Sequence, residues 1–549
     1  MIRQDIEQAI TVALTAMGAE GVAFALERPG SMDHGDYATN AALIAAKILK
    51  KNPKEVADEL ASNLAIEGIK KIEVAGPGFI NFTLSGSVVK EVVHEAHGKE
   101  WGNNTIYKGK KVMVEYTDPN PFKQFHIGHL MSNAIGESIA RALEHSGAEV
   151  LRANYQGDVG PHVAKALFVL LEKNIENPTI EDISRAYVEG ATRYEEKPED
   201  KLAIDALNKK IYDKTDERVN ELYKKGRTLS LEHFEEIYKI LGTKFDLYFF
   251  ESETANKGLE IVRARPEIFE ASEGAIVFHG EKYGLHTRVF INKLGLPTYE
   301  AKDLGLIVEK EQRGQSDHYI YVTANEQNEY FKVVFQAAGL VFPEIANKLM
   351  HRSHGMMRFA EGKMSSRVGN VITGESLLMD LMGETNTKME GRELKDAHNT
   401  AQQVAVGAIK YAVLKQSSGK DIVFDPEKSL SLEGDSGPYV QYALVRARAL
   451  LRNARSAKVV DPEPAGPMPI ERLIVHFPQV VERTVHELEP HYVATYLTEL
   501  AGMFNSWYAS ERLIVDGAIT SRALAVVKAI ENTLAQGLQV LGIPTPEEM

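Results

Sequence analysis

The sequence of 549 residues contains no cysteine. Disulfide bonds, a catalytic thiol and zinc sites built from thiolates are therefore excluded, and this composition is typical of a cytoplasmic protein. No apolar run approaches the roughly 18 residues that a membrane-spanning helix requires, so we expect no membrane association. The N-terminal segment predicts an amphipathic helix with acidic residues. It lacks the apolar stretch of a secretory signal and the acid-poor character of a transit peptide.

Positive charge is also scarce, because 63 lysines and arginines face 77 acidic residues and give a formal net charge of −14. This balance excludes a protein that coats nucleic acid indiscriminately, but it permits an enzyme whose nucleic-acid contacts are confined to patches. It also suits a cationic substrate. The chain is long enough for about three domains. A hydrophobic content of 44% and a charged content of 26% are typical of a soluble globular protein.

The two common motifs for binding nucleotide phosphates are missing. No Gly-x-Gly-x-x-Gly follows a predicted strand. A P-loop is excluded at Gly362 and Lys363, because the upstream Gly355 is too distant and Met364 stands where serine or threonine should follow the lysine. Residues 362–367, Gly-Lys-Met-Ser-Ser-Arg, nevertheless combine cations and hydroxyls that suit a polyphosphate.

A strand, loop, helix and second strand are predicted between residues 111 and 154. Residues 111–116 are apolar and β-branched enough for a buried strand. Residues 118–121, Asp-Pro-Asn-Pro, mark a turn. A helix opens near His126 and stops at Gly147, and a strand follows over residues 150–154. This order predicts the first crossover unit of a parallel sheet.

His126 and His129 lie one helical turn apart at the start of that helix. In parallel sheets, ligands bind beyond the carboxyl ends of the strands, where a helix N-terminus offers free N–H groups. Gly128 would let a flat base approach the backbone. The arrangement suits a nucleoside triphosphate. Alternatively, these are two partly exposed histidines at a helix start, while a metal site would need a third ligand that the spacing does not supply.

Two motifs together carry a family resemblance. The sequence His-Ile-Gly-His at residues 126–129, followed by Lys-Met-Ser-Ser-Arg at residues 363–367, resembles the signature pair of the class I aminoacyl-tRNA synthetases. From about Asp33 to the C-terminus, the surrounding residues resemble the arginyl-tRNA synthetases in particular. The other segments that carry this resemblance are residues 33–40, 74–82, 154–158, 299–303, 362–372 and 433–442.

The resemblance and the sequence pattern together imply an α/β protein with three domains. Residues 1–105 are expected to form an α+β module that binds the tRNA elbow, with helices over 2–17, 38–50 and 53–65 and strands over 72–74 and 79–82. Residues 106–375 form a Rossmann-like catalytic domain with a parallel sheet. Residues 376–549 form an all-α helical bundle that binds the anticodon.

Two segments of these domains are interpreted as structural. Residues 165–260 are expected to form a helical insertion in the catalytic domain. We find no chemistry there and interpret it as a solvated appendage. The polar cluster at residues 33–36 is either a ligand site or a turn that caps the next helix, and we favour the turn.

For ATP, the resemblance implies contacts from His126, Gly128, His129 and residues 363–366, which are Lys363, Met364, Ser365 and Ser366. Catalysis is assigned to the two histidines with Lys123, Lys363 and Arg367. Mg²⁺ would bind through the ATP phosphates rather than in a protein metal site. The family commonly has a second lysine where this chain has Ser366, and Lys123 and Arg367 could restore that charge. Two smaller departures are Asp118, usually serine, and Val368, usually lysine.

For L-arginine, the positions that match the family's pocket are Glu115, Asn120, Tyr299, Asp303 and Gln327. A guanidinium is a planar fork of donors that carboxylates and amide oxygens meet best. Asp303 would meet the guanidinium, with Tyr299 one helical turn away. Glu115 and Asn120 would lie near the α-ammonium.

A third set of residues is assigned to tRNA. It comprises Tyr439, Gln441, Arg446, Arg448 and Arg452. Cations along a helix suit a strip of phosphates. Alternatively, the arginines form a solvated helix face, and the stretch from residue 433 to 442 is simply a helix start.

The expected activity is that of the arginyl-tRNA synthetases, and there are three alternatives. The enzyme would activate arginine with ATP to arginyl-adenylate and transfer it to the terminal ribose of tRNA(Arg), as a cytoplasmic monomer. The resemblance also implies that activation requires bound tRNA. Another class I nucleotidyl transferase is disfavoured by the helical C-terminal domain, and a non-catalytic tRNA-binding paralogue by the intact His126, His129 and Lys363. A synthetase for another amino acid is disfavoured by Asp303.

Overall fold

The computed structural model describes residues 2–360, 372–391, 393–462 and 465–549. The segment predicted to bind ATP phosphates, residues 363–367, lies outside these ranges. The chain forms two compact units. One unit comprises the chain up to Gly102 with residues 446–480 and 499–536, and the other comprises residues 103–445, 481–498 and 537–549. Within the described ranges, no helix has the length and apolar character needed to cross a membrane.

The larger unit is built on a sheet of five parallel strands. In chain order they are β1 (Lys111–Glu115), β2 (Glu149–Gln156), β3 (Leu247–Phe250), β4 (His318–Ala324) and β5 (Leu349–His354). Their spatial order is β5-β4-β1-β2-β3, with parallel pairing throughout. The predicted Rossmann-like sheet is therefore confirmed. Strand β3 was missed, since a run of four apolar residues beside charged helices carries no periodicity of its own.

The strand order reverses direction at β1. The chain runs from β1 outward through β2 to β3, and then returns to add β4 and β5 on the other side. Such a switch point leaves a crevice at the carboxyl ends of β1 and β4, where ligands bind in open α/β sheets. The central residues of β1, Val112, Met113 and Val114, are completely buried, which explains why an apolar run was needed there.

The crossover between β1 and β2 is a helix over Ile127–His145, named here the histidine helix. Its residues from His129 to Leu143 are almost all buried. Gly136 faces the ring of Tyr116 so closely that an added Cβ would lie 2.3 Å from a ring carbon. Any larger residue at this position would separate the helix from the loop that follows β1. The predicted helix and its end near Gly147 are confirmed.

The expected insertion contains four helices, Pro161–Glu172, Ile180–Glu196, Pro198–Asp213 and Glu217–Leu241. They share an apolar core that includes Phe122, from the loop after β1. An added Cβ on Gly226 would lie 2.3 Å from the Phe122 ring. Arg227 pairs with the fully buried Asp158 at 2.8 Å. The interpretation of a solvated appendage was wrong, because these helices share a core with the loop that follows β1.

The remaining elements of the larger unit surround the sheet. Its other helices are Glu251–Arg263, Tyr299–Gly314, Asn328–Val341, Gly374–Met389, Ala397–Leu414 and Pro426–Ser429. The strands Glu270–Ser272, Ala275–Phe278 and Arg288–Ile291 form a small antiparallel sheet. Met357–Phe359 pairs in parallel with Ile422–Phe424.

The N-terminal part of the smaller unit is an antiparallel sheet covered by helices. The helices are Ile2–Ala16, Ala41–Leu49, Pro53–Ser62 and Gly86–Glu95. The strands Leu26–Glu27, Tyr37–Thr39, Phe79–Leu84 and Ile69–Ala75 neighbour one another in that order. The α+β module is confirmed. The helix predicted from residue 38 begins only at Ala41, because residues 37–39 pair with the strand at Phe79–Leu84.

Asp36 shows why the polar cluster at residues 33–36 does not cap the next helix. Its side chain is 2% exposed. One carboxylate oxygen accepts a hydrogen bond from the Leu84 backbone N–H at 2.8 Å, and the other accepts from Arg472 at 2.6 Å. The helix that follows has Asn40 at its N-cap. The favoured interpretation was wrong, since Asp36 instead joins a strand to an arginine distant in sequence.

The C-terminal region is helical, as predicted. Its helices are Gly437–Ala454, Pro469–Ile474, Phe477–Glu487, His491–Ser510 and Ser521–Val540. The strands Lys458–Val460 and Ala518–Thr520 also pair in parallel. This short pair corrects the expectation of a purely α-helical bundle, and it joins segments about sixty residues apart that no local pattern could connect.

Candidate active site

The loop after β1 has an unusual backbone. Thr117, Asp118 and Phe122 have φ angles of 79°, 48° and 68°, in the left-handed region that non-glycine residues rarely adopt. Two hydroxyls hold the loop in place: Ser132 Oγ accepts from the Thr117 N–H at 3.0 Å, and Ser230 Oγ accepts from the Phe122 N–H at 3.1 Å. Strained backbone of this kind concentrates at functional sites.

The two histidines of the helix start cap it reciprocally. His126 Nδ1 accepts from the His129 N–H at 3.3 Å, and His129 Nδ1 accepts from the His126 N–H at 3.2 Å. Their rings stack with centroids 3.4 Å apart. Because each Nδ1 is an acceptor, a neutral ring carries its proton on Nε2. The cap therefore leaves two N–H donors at the positive end of the helix dipole.

Both imidazoles are held in the neutral form. Burial lowers the pKa of His126, and the charges of Lys123 and His354 lower it further. Burial also lowers the pKa of His129 well below its usual value, with contributions from His126 and Lys123. The pair can thus donate hydrogen bonds at neutral pH without carrying charge.

Lys123 supplies the positive charge beside the histidines. Its effect on the pKa of both rings places it within electrostatic range of them. Its Nζ lies 5.8 Å from the ring centroid of Tyr187, from the second insertion helix. Burial lowers the pKa of Lys123, and Glu251 opposes this shift. The sequence analysis expected a cation at this position, but it did not foresee the contact of Lys123 with the insertion.

The chain returns to the histidine pair directly after residues 361–371. His126 and Thr373 form an antiparallel bridge, and the Gly374 N–H donates to the Phe125 carbonyl at 2.9 Å. Thr373 follows Arg367 by only six residues in the sequence. Thr373 and Gly374, which follow this segment, therefore lie at the start of the histidine helix.

Two buried ion pairs lie at the carboxyl ends of the strands. Glu115, the last residue of β1, pairs with Lys310 at 2.7 Å. Glu251, which follows β3, pairs with Lys302 at 2.6 Å. All four side chains are less than 10% exposed. Of these residues, the sequence indicated only Glu115. Lys310 lies seven residues after Asp303, on the same face of one helix, which is the signal that could have identified it.

Two further carboxyls in this region, Asp118 and Asp303, accept from neutral donors. Asp118 accepts from the Tyr155 backbone N–H at 2.8 Å, and Asp303 accepts from the Tyr330 hydroxyl at 2.6 Å. Burial raises the pKa of Asp303 to about 8, and Glu115 contributes to the increase. Burial and Glu115 also raise the pKa of Asp118.

The other predicted pocket residues have different surroundings. Asn120 Oδ1 accepts from the Gly157 N–H at 2.9 Å, and an added Cβ on Gly157 would lie 2.4 Å from that oxygen. Tyr299 begins the helix that carries Asp303, and it is 60% exposed. Gln327 is also exposed, just beyond the end of β4. Asn120 thus lies on the floor of the crevice, while Tyr299 and Gln327 are more accessible.

Comparisons with known proteins match this architecture. Family models match residues 91–426 ("tRNA synthetases class I (R), catalytic domain"), residues 1–84 ("Arginyl tRNA synthetase N terminal domain") and residues 440–549 ("DALR anticodon binding domain"). The chain belongs to the arginyl-tRNA synthetases. Members of this family are arginine–tRNA ligases of class I, which use ATP.

Relatives match along nearly the whole chain. The arginine–tRNA ligase of Clostridium perfringens is 30% identical over 551 residues, covering 96% of this chain and 97% of the relative. That of Lactococcus lactis subsp. cremoris is 30% identical with complete coverage of both. The arginyl-tRNA synthetase structure from Thermus thermophilus has a TM-score of 0.83 at 27% identity, with complete coverage of both chains. The Plasmodium falciparum structure, at 19% identity, has a TM-score of 0.81, covers 100% of this chain and 99% of that one, and supports the fold alone.

The residues predicted to bind tRNA in this synthetase differ in their availability. Gln441 is completely buried, and its amide donates to the carbonyls of Gln403 at 3.1 Å and Pro544 at 2.8 Å. The structure contradicts a tRNA contact from Gln441, since its side chain is buried and its amide donates to two backbone carbonyls. Tyr439 is half-buried, and Arg452 is exposed.

Arg446 and Arg448 are partly engaged within their own unit. Arg446 donates to Asn505 at 2.6 Å and lies over the Tyr508 ring. Arg448 pairs with Glu531 at 3.0 Å. The predicted basic strip is therefore weaker than the sequence indicates, with Arg452 its most accessible member.

Proposed function

We propose that this member of the arginyl-tRNA synthetases joins L-arginine to ATP, forming arginyl-adenylate and pyrophosphate, and then transfers arginine to the 3′-terminal ribose of tRNA(Arg). The observation that carries this proposal is the pairing of two neutral N–H donors, His126 and His129, with a nearby acidic crevice. One side of such a site suits phosphate oxygens, and the other suits a cation.

In the ATP half of the site, the histidine helix aligns its N-terminal dipole and both Nε2–H groups with the polyphosphate. The base approaches the backbone at Gly128 in this proposal, and Lys123 offsets charge at the α-phosphate. An added Cβ at Gly128 would lie 3.0 Å from two atoms of the His126 ring. Residues 363–367 complete the phosphate contacts in this proposal, which the closeness of Thr373 to His126 supports. The described residues contain no group of three or more His, Asp or Glu side chains arranged around a metal. A Mg²⁺ ion that accompanies ATP would take its ligands mainly from phosphates and water.

In the arginine half, Asp303 pairs with the guanidinium, and the Tyr330 hydroxyl fixes the orientation of its carboxylate. Asn120 and Glu115 face the α-ammonium end. Tyr299 and Gln327 border the opening. The arginine carboxylate then points toward the histidines, where its attack on the α-phosphate requires alignment more than covalent help from the protein.

Binding of tRNA is assigned to both ends of the chain. In the N-terminal module, a cleft of about 480 Å³ is lined by Asn40, Phe79 and Asn81 among others. Phe79 is 40% exposed, and an aromatic face beside amide groups suits an unstacked base of the tRNA elbow. Tyr439 and the arginines at positions 446, 448 and 452 contact the tRNA backbone in this proposal. The domain limits of residues 1–105, 106–375 and 376–549, the monomeric state and the cytoplasmic location are proposed with it.

One experiment tests the proposal. The purified protein is offered each of the twenty amino acids with ATP and total tRNA, and both charging and amino-acid-dependent ATP–pyrophosphate exchange are measured. We expect arginine alone to support both. Exchange without any amino acid would indicate a different nucleotidyl transferase, and the absence of both reactions would indicate a non-catalytic tRNA-binding protein.

A further inference from the structure

The acidic crevice contains more carboxyl groups than its own lysines can pair with. Each of the two buried lysines is matched by one carboxylate, Lys310 by Glu115 and Lys302 by Glu251. Within the described part of the chain, Asp118 and Asp303 have no lysine or arginine at ion-pair distance. Their hydrogen-bond partners are a backbone N–H and a tyrosine hydroxyl. Two carboxyl groups therefore remain for a ligand.

A buried hydroxyl in the same region also lacks a partner. The Tyr321 side chain is 3% exposed, and its hydroxyl has no hydrogen-bond partner among the described residues. Lys310, the partner of Glu115, lies with its Nζ 3.6 Å from the centroid of the Tyr321 ring, so this side chain borders the crevice. Leaving such a group unpaired is unfavourable unless a ligand satisfies it. Together with the excess carboxyls, it indicates a site built for a polar, cationic ligand.

Free arginine carries two cationic groups, the guanidinium and the α-ammonium. We propose that Asp118 and Asp303 are their two counter-ions, that Asp118 meets the α-ammonium, and that arginine binding releases protons from these carboxyls to solvent. This inference rests on the proposed function and goes beyond it. The family usually has serine where this chain has Asp118. A hydroxyl could accept a hydrogen bond at that position but could not supply charge.

The physical basis for proton release is the crowding of acids in a poorly solvated space. Burial raises the pKa of Asp303 to about 8 and that of Asp118 above its usual range. Both carboxyls must be ionised to pair with the substrate, so arginine affinity rises with pH until the pH exceeds these values. The groups that face the two carboxyls are Glu115 from β1, Tyr155 from β2, Tyr238 from the fourth insertion helix, Glu251 after β3, Lys310 from the helix of Asp303, Tyr321 from β4 and Tyr330 from Asn328–Val341.

Isothermal titration calorimetry of the full chain with L-arginine, in buffers of different ionisation enthalpy, counts the released protons. At pH 7 we expect Asp303 to release about one proton per arginine bound, since a carboxyl with a pKa of about 8 is about nine-tenths protonated there, and Asp118 to add to that count. At pH 8.5 the contribution of Asp303 should fall by at least half. A count indistinguishable from zero at pH 7 would overturn proton release while leaving the proposed function intact. No arginine binding at any pH would instead count against the proposed function.

Substrate analogues locate each counter-ion. Asp118→Asn should weaken arginine binding about 10- to 100-fold, because the hydrogen-bond acceptor stays and the charge is lost. It should leave 5-guanidinopentanoate, which lacks the α-amino group, unchanged within about threefold. Asp58→Asn, an exposed aspartate in the N-terminal module, is the matched control and should change neither. Equal weakening of both ligands by Asp118→Asn would overturn the assignment of the α-ammonium.

The unmutated chain offers a second measurement, in case Asp118→Asn fails to fold. Titration with 5-guanidinopentanoate should release fewer protons than titration with arginine, because only one carboxyl is recruited. Equal proton counts for the two ligands would contradict the role of Asp118. Asp118→Ser, which carries the family's usual residue, is a further variant, and circular dichroism shows whether it folds. We expect it to lose as much arginine affinity as Asp118→Asn.

Discussion

His126 combines two roles that one substitution can separate. Its Nδ1 caps the histidine helix, while its Nε2–H has no acceptor among the described residues and is assigned to a phosphate in the proposed function. Asparagine at this position keeps a side-chain acceptor for the His129 N–H. The backbone of His126, with φ −91° and ψ 170°, is in the extended region that asparagine favours as an N-cap. His126→Asn therefore removes the N–H donor and retains the cap, while His126→Ala removes both.

The magnitudes follow from these contacts. Loss of an N-cap costs about 1 kcal/mol, so His126→Ala should lower the free energy of unfolding by about that amount, and His126→Asn by less than about 0.5 kcal/mol. Loss of one preorganised donor at a charged transition state costs about 10²- to 10³-fold in rate. Both variants should therefore slow arginine-dependent ATP–pyrophosphate exchange, measured with tRNA present, to that extent.

The insertion offers a matched control for the cap. Thr179 and Asp182 form the same reciprocal arrangement at the start of another helix, with bonds of 3.0 and 3.2 Å. Thr179→Ala should destabilise the protein about as much as His126→Ala and leave the exchange rate unchanged. If His126→Asn keeps an exchange rate within about threefold of the unmutated enzyme, the Nε2–H plays no part in activation. That result would refute the phosphate contact inferred from the tautomer of His126.

Three further outcomes are expected. Lys123→Ala should slow the exchange reaction by about two orders of magnitude or more while leaving tRNA affinity, measured by filter binding, nearly unchanged. Arg472→Leu leaves the buried Asp36 carboxylate without its cation and should cost about 3–5 kcal/mol in urea-induced unfolding. Arg452→Ala should weaken tRNA binding and reduce its salt dependence by about one counter-ion, whereas Gln441→Ala should lower stability and leave that salt dependence unchanged.

Local sequence patterns predicted the elements nearest the candidate site. An apolar run, a turn rich in Asp and Pro, and a helical stripe from Ile135 to Leu143 together predict β1, the loop and the histidine helix. Their connectivity also predicts a parallel sheet, because such a crossover returns the chain in the same direction. The position of His126 and His129 follows from this order without knowledge of any distant residue.

The failures involve partners that are distant in sequence. Strand β3 follows four helices and is recognisable only by its pairing with β2. In the sequence, Asp36 resembles a polar turn residue. In the structure, its carboxylate accepts a hydrogen bond from Arg472, 436 positions later. Gln441 looks like a surface residue in a polar motif, but two backbone carbonyls use its amide donors. A buried polar group cannot be distinguished from an exposed one by sequence spacing alone, since its partner decides the outcome.

The insertion positions a cation of the proposed active site. The loop between β1 and the histidine helix contains three residues with positive φ, each of which costs roughly 1–3 kcal/mol. Phe122 is the last of these residues. Its N–H donates to Ser230 of the insertion, and its ring packs in the apolar core of the insertion helices. Lys123 is the next residue along the chain, so the direction of its side chain depends on that anchor. The cation beside the histidines is therefore positioned by helices that carry no catalytic group of their own.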